Sequence, residues 1–382
     1  MDRLRVTGGD ILLADGNIQR EDLLLESDKI ASVGCSGMGP ALDARGLLVL
    51  PGIVDIHGDA FERQIQPRPG VGFSASIALA DTEAQLLANG ITTAFHGITL
   101  SWEPGLRGLE AWRALLDALA AGRWVCDMRV HLRWEAFNLA ALETALEDIA
   151  AGRVHLLAFN DHTPAILRRV SDPITGAKYS ERAGMSLMQF QALAERVGSA
   201  ADRVPMALDK IAAAARAAGI PLASHDDETI AMRAEFRARG ARICEFPVEK
   251  AVGEAARAAG DWVVMGSPNV VRGGSHLGWA SAAVLAEAGT CNVLSSDYYY
   301  PAMMRAAFIL ASRGALDLAQ SWNLISGNPA AAVGLKDRGS IAKGKRADIV
   351  LVDPEGPRVV ATFAAGRLAH LTADGAERLQ MM

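Results

Sequence analysis

Two textures alternate along the middle of the chain: short, almost wholly apolar runs, and stretches whose apolar residues recur every three to four positions. The run LLVLPGIVDIHGD, Leu47 to Asp59, suits a strand buried on both faces, as in a parallel sheet covered by helices. After it, ADTEAQLLAN predicts a helix stopped at Gly90, and ITTAFHG predicts the next strand. The rhythm continues with a helix in LEAWRALLDALAAG, a strand in VCDMRVHLRWE, a helix in ALETALEDIAAG and a strand in VHLLAFNDH. Then come DKIAAAARAAG before IPLASHDD, TIAMRAEFRARG before ARICEFP, VEKAVGEAARAAG before DWVVMGSPN, and SAAVLAEAG before CNVLSSD. Eight strands, each followed by helix-like sequence, predict a (β/α)8 barrel of the TIM type. Thr163 to Val204 breaks the rhythm. With Pro164, Pro173, Gly176 and Gly184 it reads as a long loop, of the kind that is functional or mobile in a compact fold.

The two ends differ from the middle. ILLADG, DLLLES and KIASVG near the start, and ADIVLVDPEG, RVVATFAAG and RLAHL near the finish, are short β-like runs between turn residues. They predict one small β-sandwich assembled from residues 1–50 and 346–382, around a metal-dependent barrel spanning 51–345. Pro51 and Gly52 mark the turn from one module into the other.

Composition narrows the class. With 382 residues, 50% apolar and 21% charged, the chain can bury a large core and is not of disordered type. A formal charge of −6 excludes a general nucleic-acid binder but leaves room for a local cationic pocket. Cys35, Cys126, Cys244 and Cys291 form no CxxC pair and read as reduced thiols. The start, MDRLRVTGGD, is too polar for a signal peptide, and no apolar run is long enough to span a bilayer. The expectation is a cytoplasmic protein with no membrane or nucleic-acid partner; the sequence leaves a homo-oligomer open.

In such a barrel the carboxyl ends of the strands converge on one mouth, where active sites lie. The first strand ends in His57 and Asp59, which point to the same side of an extended chain, with Gly58 leaving space between them. The third offers His131 and Glu135, and the fourth Asp161 and His162. The fifth offers His225, Asp226 and Asp227, and the eighth Asp297. Imidazoles and carboxylates without thiolates suit zinc, manganese or iron. Each residue also has a plainer reading. His131 can be a core histidine, Glu135 a helix-start acid, Asp161 a carboxylate that orients His162, and Asp226–Asp227 a helix cap.

The order HxD, Glu, His, His, Asp on successive strands resembles the amidohydrolase superfamily, where the first pair is more often HxH. Within it, PGIVDIHGDAFERQIQPRPGV, ASHDD, MGSPNVVRGGSH and LSSDYYYP resemble the diphosphatase family of the carbon–phosphorus lyase pathway, from about Leu50 to Lys345. That family commonly reads HTD where this chain has HGDAFER. The resemblance implies two divalent ions, zinc foremost, on His57, Asp59, Glu135, His162, His225 and Asp297, with Glu135 bridging. It implies hydrolysis of α-D-ribose 1-methylphosphonate 5-triphosphate to the 5-phosphate and pyrophosphate, with Asp297 orienting the water and accepting its proton. A triphosphate needs further positive charge. Arg63, Arg68, Lys178, Arg272 and His276 in mouth loops are candidates to supply it, each otherwise a solvated surface charge. Arg272 lies in a Gly-rich loop, VVRGGSH, whose backbone N–H groups can also meet phosphate. The same architecture hydrolyses cyclic amides and deaminates bases, and a catalytically silent barrel acting as an assembly partner is a third class.

Overall fold

Eight parallel strands form where the apolar runs place them: β1 (Ile53–Gly58), β2 (Ile91–Leu100), β3 (Asp127–Glu135), β4 (Leu156–Asn160), β5 (Leu222–His225), β6 (Ile243–Glu245), β7 (Trp262–Gly266) and β8 (Val293–Ser295). The structure is a computed structural model that describes residues 3–34, 39–68, 70–274 and 280–380. Each strand bonds to the next, and a parallel bridge between Gly58 and Asp297 brings the last strand back to the first. There the Asp59 amide donates to the Asp297 carbonyl at 2.8 Å, and the Asp297 amide donates to the His57 carbonyl at 3.0 Å. All residues of β1 and β2 are buried, which is why those runs lack polar alternation. Outside the strands, Trp112 and Leu116 of the helix Leu109–Ala121 pack in one cluster with Leu100, Leu132, Trp134 and Phe159. No helix among the described residues is long and apolar enough to cross a membrane.

Both chain ends build a second, nine-stranded sheet. Arg3–Leu12 pairs antiparallel with Ile18–Glu26, and Leu48–Pro51 pairs antiparallel with Ile349–Asp353. Leu4, Leu23, Val49, Ile349, Leu351 and Phe363 share its core. The junction is tight: a Cβ on Gly52 would collide with Thr92 Oγ1 and sit 2.9 Å from Asp348 Cβ. The buried Trp322 indole donates to the Pro51 carbonyl at 3.0 Å. Cys126, Cys244 and Cys291 are buried and free, while Cys35 lies outside the described residues.

The stretch read as a long loop is helical, and this corrects the expectation. It folds as Thr163–Arg169, Pro173–Ala183 and Leu187–Gly198. Pro164 and Pro173 fall in first helical turns, where a backbone N–H is not needed. Gly184 ends the second helix in the left-handed conformation, at φ 63°. Asp172 and Ser186 cap the second and third helices, the latter in a reciprocal box with Gln189. The residues that look like loop punctuation are helix start and stop signals.

Candidate functional site

Strand alternation decides which side chains enter the mouth. On β3, His131, Arg133 and Glu135 are two apart and share one face, so they climb from the buried floor toward the rim. The floor is built around Glu245, the last residue of β6. Its Oε2 lies 3.0 Å from His57 Nδ1 and 3.3 Å from His225 Nδ1, with all three side chains buried. Burial, and after it the nearby Arg133 charge, hold the pKa of both imidazoles well below the ordinary histidine value, so both rings are neutral. With Glu245 as acceptor, each ring carries its hydrogen on Nδ1 and turns the Nε2 lone pair away from the floor; this tautomer is assigned from the hydrogen bonds. His225 Nε2 accepts from Arg133 Nη2 at 3.0 Å, as that assignment requires. Arg133 Nη1 donates to Asp59 Oδ2 at 3.3 Å.

Beside this lies a cavity of about 190 Å³ whose lining includes His57, Asp59, Arg133, His225, Asp226 and Asp297. Burial raises the Asp297 carboxyl to about 7, with the Asp59 charge adding to it. Burial raises Asp59 as well. Asp226, directly after β5, and Asp297, two residues past the end of β8, both turn left-handed, at φ 56° and 55°, which breaks the pleat at the mouth. Beneath them Asp55 braces the first strand to the last. Its carboxylate accepts from the amides of His57 at 3.2 Å and Ser296 at 3.0 Å, and from Ser296 Oγ at 2.5 Å.

Glu135 and His162 stand on the other side of Arg133. Glu135 accepts from the His162 and Thr163 amides and the Thr163 hydroxyl, and its Oε2 lies 3.2 Å from His162 Nδ1. His162 Nε2 is 3.4 Å from Asp226 Oδ2. Burial works against the charged ring, but these hydrogen bonds to Asp226 and Glu135 outweigh it and lift His162 to about 9. Among the described residues, donor atoms gather in two groups, each with its atoms within 4.8 Å of one another: His57 with His131 and Glu245, and His162 with His225 and Asp226. The donor set is nitrogen and carboxylate oxygen. His131 Nε2 and Glu245 Oε1 are buried, 3.7 Å apart, without a hydrogen-bond partner among the described residues. The lone pairs of Asp59 and His225 already converge on one cation, the Arg133 guanidinium. These residues fit a divalent ion.

The structure thus brings His57, Asp59, His225 and Asp297 around one cavity, with His162 across the shared wall and Glu135 behind His162. Arg63 and Arg272 meet on Tyr298, which lines the same cavity. The Arg63 guanidinium lies 5.8 Å from the ring centre, and Arg272 Nη1 donates to the hydroxyl at 3.3 Å. Arg68 and Lys178 are exposed and line neither mouth cavity; His276 lies outside the described residues. Sequence reasoning missed Glu245 and Arg133. Alternation would have found Arg133, which shares a face with His131 and Glu135. Glu245 closes its strand as Asp297 follows its own, so the strand-end rule reaches it too.

A model of the amidohydrolase family matches residues 48–376. Over 324 residues the chain is 35% identical to the α-D-ribose 1-methylphosphonate 5-triphosphate diphosphatase of Escherichia coli (strain K12), covering 83% of this chain and 86% of that protein. Among solved structures, an amidohydrolase from an environmental sample of the Sargasso Sea superposes with TM-score 0.66 at 18% identity, over 97% of this chain and 93% of that one. D-hydantoinase from Bacillus sp. AR9 gives TM-score 0.65 at 15% identity, over 96% and 94%. Those two likenesses concern the fold. From the match over most of its length, the chain belongs to the amidohydrolase family.

Proposed function

We propose that this chain is a divalent-metal-dependent diphosphatase that cleaves α-D-ribose 1-methylphosphonate 5-triphosphate to the 5-phosphate and pyrophosphate. The observation that carries the reading is a nitrogen–carboxylate donor set enclosed by guanidinium groups. His57, Asp59, His225 and Asp297 share one cavity with Arg133, and Arg63 and Arg272 gather on Tyr298 at the same place. The 35% identical relative carries this activity in its name. His57, Asp59, His162, His225 and Asp297, with Glu135 beside His162, would hold two divalent ions, for which zinc suits the donors. When bound, such ions acidify water and offset charge on phosphoryl oxygens.

The rest is done by the chain's own side chains. Asp297, which lines the cavity beside the donor set, orients the water and takes its proton. Arg133 offers a guanidinium to the oxygens of the phosphate under attack, and Arg63 and Arg272 hold an anionic end of the substrate. Asp55 fixes the spacing of His57 and Asp297 through its bonds to β1 and β8.

The test is turnover of the ribosyl triphosphate beside ATP and a panel of cyclic amides, with released pyrophosphate quantified. Preference for the ribosyl triphosphate with pyrophosphate as product supports the reading. Turnover confined to a cyclic amide would overturn it.

A further inference from the structure

A second cleft, of about 360 Å³, opens on the far side of the wall formed by Arg133, His225 and Asp226. Three further guanidiniums reach it from separate elements. Arg107 comes from the segment after β2, Arg169 from the end of the helix Thr163–Arg169, and Arg182 from the helix Pro173–Ala183. The helical excursion between β4 and β5 therefore supplies two of the three, along with Tyr179, whose ring lies 5.6 Å from the Arg182 guanidinium carbon. Carboxylates of Glu103, Asp161, Asp226 and Glu228 are present too, so the local balance matters. Arg182 is paired with Glu103, and Arg107 is held bidentately at 3.1 and 3.0 Å by Glu62, which is not part of the cleft. Arg169 is exposed and, among the described residues, has no carboxylate partner within 4.0 Å. It is a guanidinium positioned at a cavity and not spent on a structural pair.

The substrate proposed above is anionic at both ends, and a scissile bond at the donor set divides it in two. We infer that the Arg107–Arg169–Arg182 cleft receives the departing pyrophosphate, while the cavity beside Tyr298 receives the ribosyl half. The excursion then carries two of the three guanidiniums that recognise a diphosphate. This assignment rests on the polyphosphate reading of the site, and the test separates the two. Inorganic pyrophosphate is titrated calorimetrically into the full, metal-loaded chain and into its Arg169→Ala, Arg169→Lys and Arg272→Ala variants. Loss of one charge-assisted contact should weaken binding about tenfold or more in Arg169→Ala. Lysine should restore part of it, since a point charge replaces a planar fork. Arg272→Ala should stay within about twofold of the parent protein, well under the tenfold that marks a lost contact. Unchanged affinity in Arg169→Ala, or an equal loss in Arg272→Ala, would overturn the assignment, as would absence of pyrophosphate binding in the parent chain. If binding depends on Arg169 but the ribosyl triphosphate is not hydrolysed, the subsite stands and the activity falls. If hydrolysis is found and pyrophosphate affinity ignores Arg169, only the subsite falls.

Discussion

Gly58 separates His57 from Asp59, and a single methyl group there should report on the whole centre. A Cβ at this position would lie 2.7 Å from Asp55 Oδ2, 2.7 Å from Ser296 Oγ and 3.3 Å from Tyr300 Cε1. The first two atoms are partners in a 2.5 Å hydrogen bond, so the methyl would be driven between donor and acceptor. Overpacking of this kind costs about 1–3 kcal/mol, and a buried hydrogen bond to a charged group contributes about 1.5–3 kcal/mol. Gly58→Ala should therefore destabilise by about 3–5 kcal/mol. Unfolding entropy near 2.1 cal/mol/K per residue over 382 residues converts that to a fall in Tm of about 4–6 °C. Bound metal should fall with it, because Asp55 sets the spacing of the strands that carry His57 and Asp297. Gly97→Ala is the matched control. Its Cβ would meet Arg133 Cδ at 3.2 Å and His57 Nε2 at 3.7 Å, close contacts that pry no hydrogen bond apart, so the loss should stay under about 1 kcal/mol. Calorimetric melting with elemental analysis of both variants decides the matter. A Gly58→Ala protein with parental Tm and metal content, or a Gly97→Ala protein that loses as much, would refute the reasoning.

Two further outcomes are expected. Asp297→Asn should keep most of the metal but lower kcat at least about a hundredfold with little change in KM, because it acts on the proton in the transition state; near-normal kcat would remove Asp297 from the chemistry. His96 is buried with neither ring nitrogen hydrogen-bonded among the described residues, and burial lowers its pKa to about 4. The unfolded chain binds a proton below about 6.5 and the folded one does not, so stability present above that pH is lost as pH falls toward 4. Between pH 8 and pH 5 the loss is about 2 kcal/mol, and His96→Leu should abolish that part of the pH dependence of the urea midpoint. An identical slope in the variant would show that His96 finds a partner.

The barrel was legible because a buried parallel strand has to be apolar on both faces, and that leaves an unbroken signature such as IVDIHG or ITTAFHGITL. His57, Asp59, His225 and Asp297 were legible because each lies within two residues of a strand's last residue. Glu245 stands out less: its strand is three residues long and ends in a lone acid with no histidine nearby in sequence. What makes Glu245 matter is its approach to His57, 188 residues earlier, and short-range pattern cannot carry that. The guanidiniums of the second cleft were hidden for a related reason. Lys178 and Arg182 lie on one helix and look alike in sequence, and only the packing of the excursion decides that Arg182 faces the cleft.

The clasp between the first strand and the last has a consequence in time. Asp55 and Ser296 are 241 residues apart, so Asp55 waits for a partner until nearly the whole barrel has been synthesised. At ordinary elongation rates of roughly 5–20 residues per second, that delay is on the order of 10 to 50 s. Throughout it His57 and Asp59 are already made, while the backbone of Asp297 that holds them in register does not yet exist. A nascent chain therefore has half a centre and cannot capture an ion with its final affinity. Loading belongs after β8 has been made, and termination between β5 and β8 yields a chain with most of the ligands but without the Gly58–Asp297 bridge that registers them.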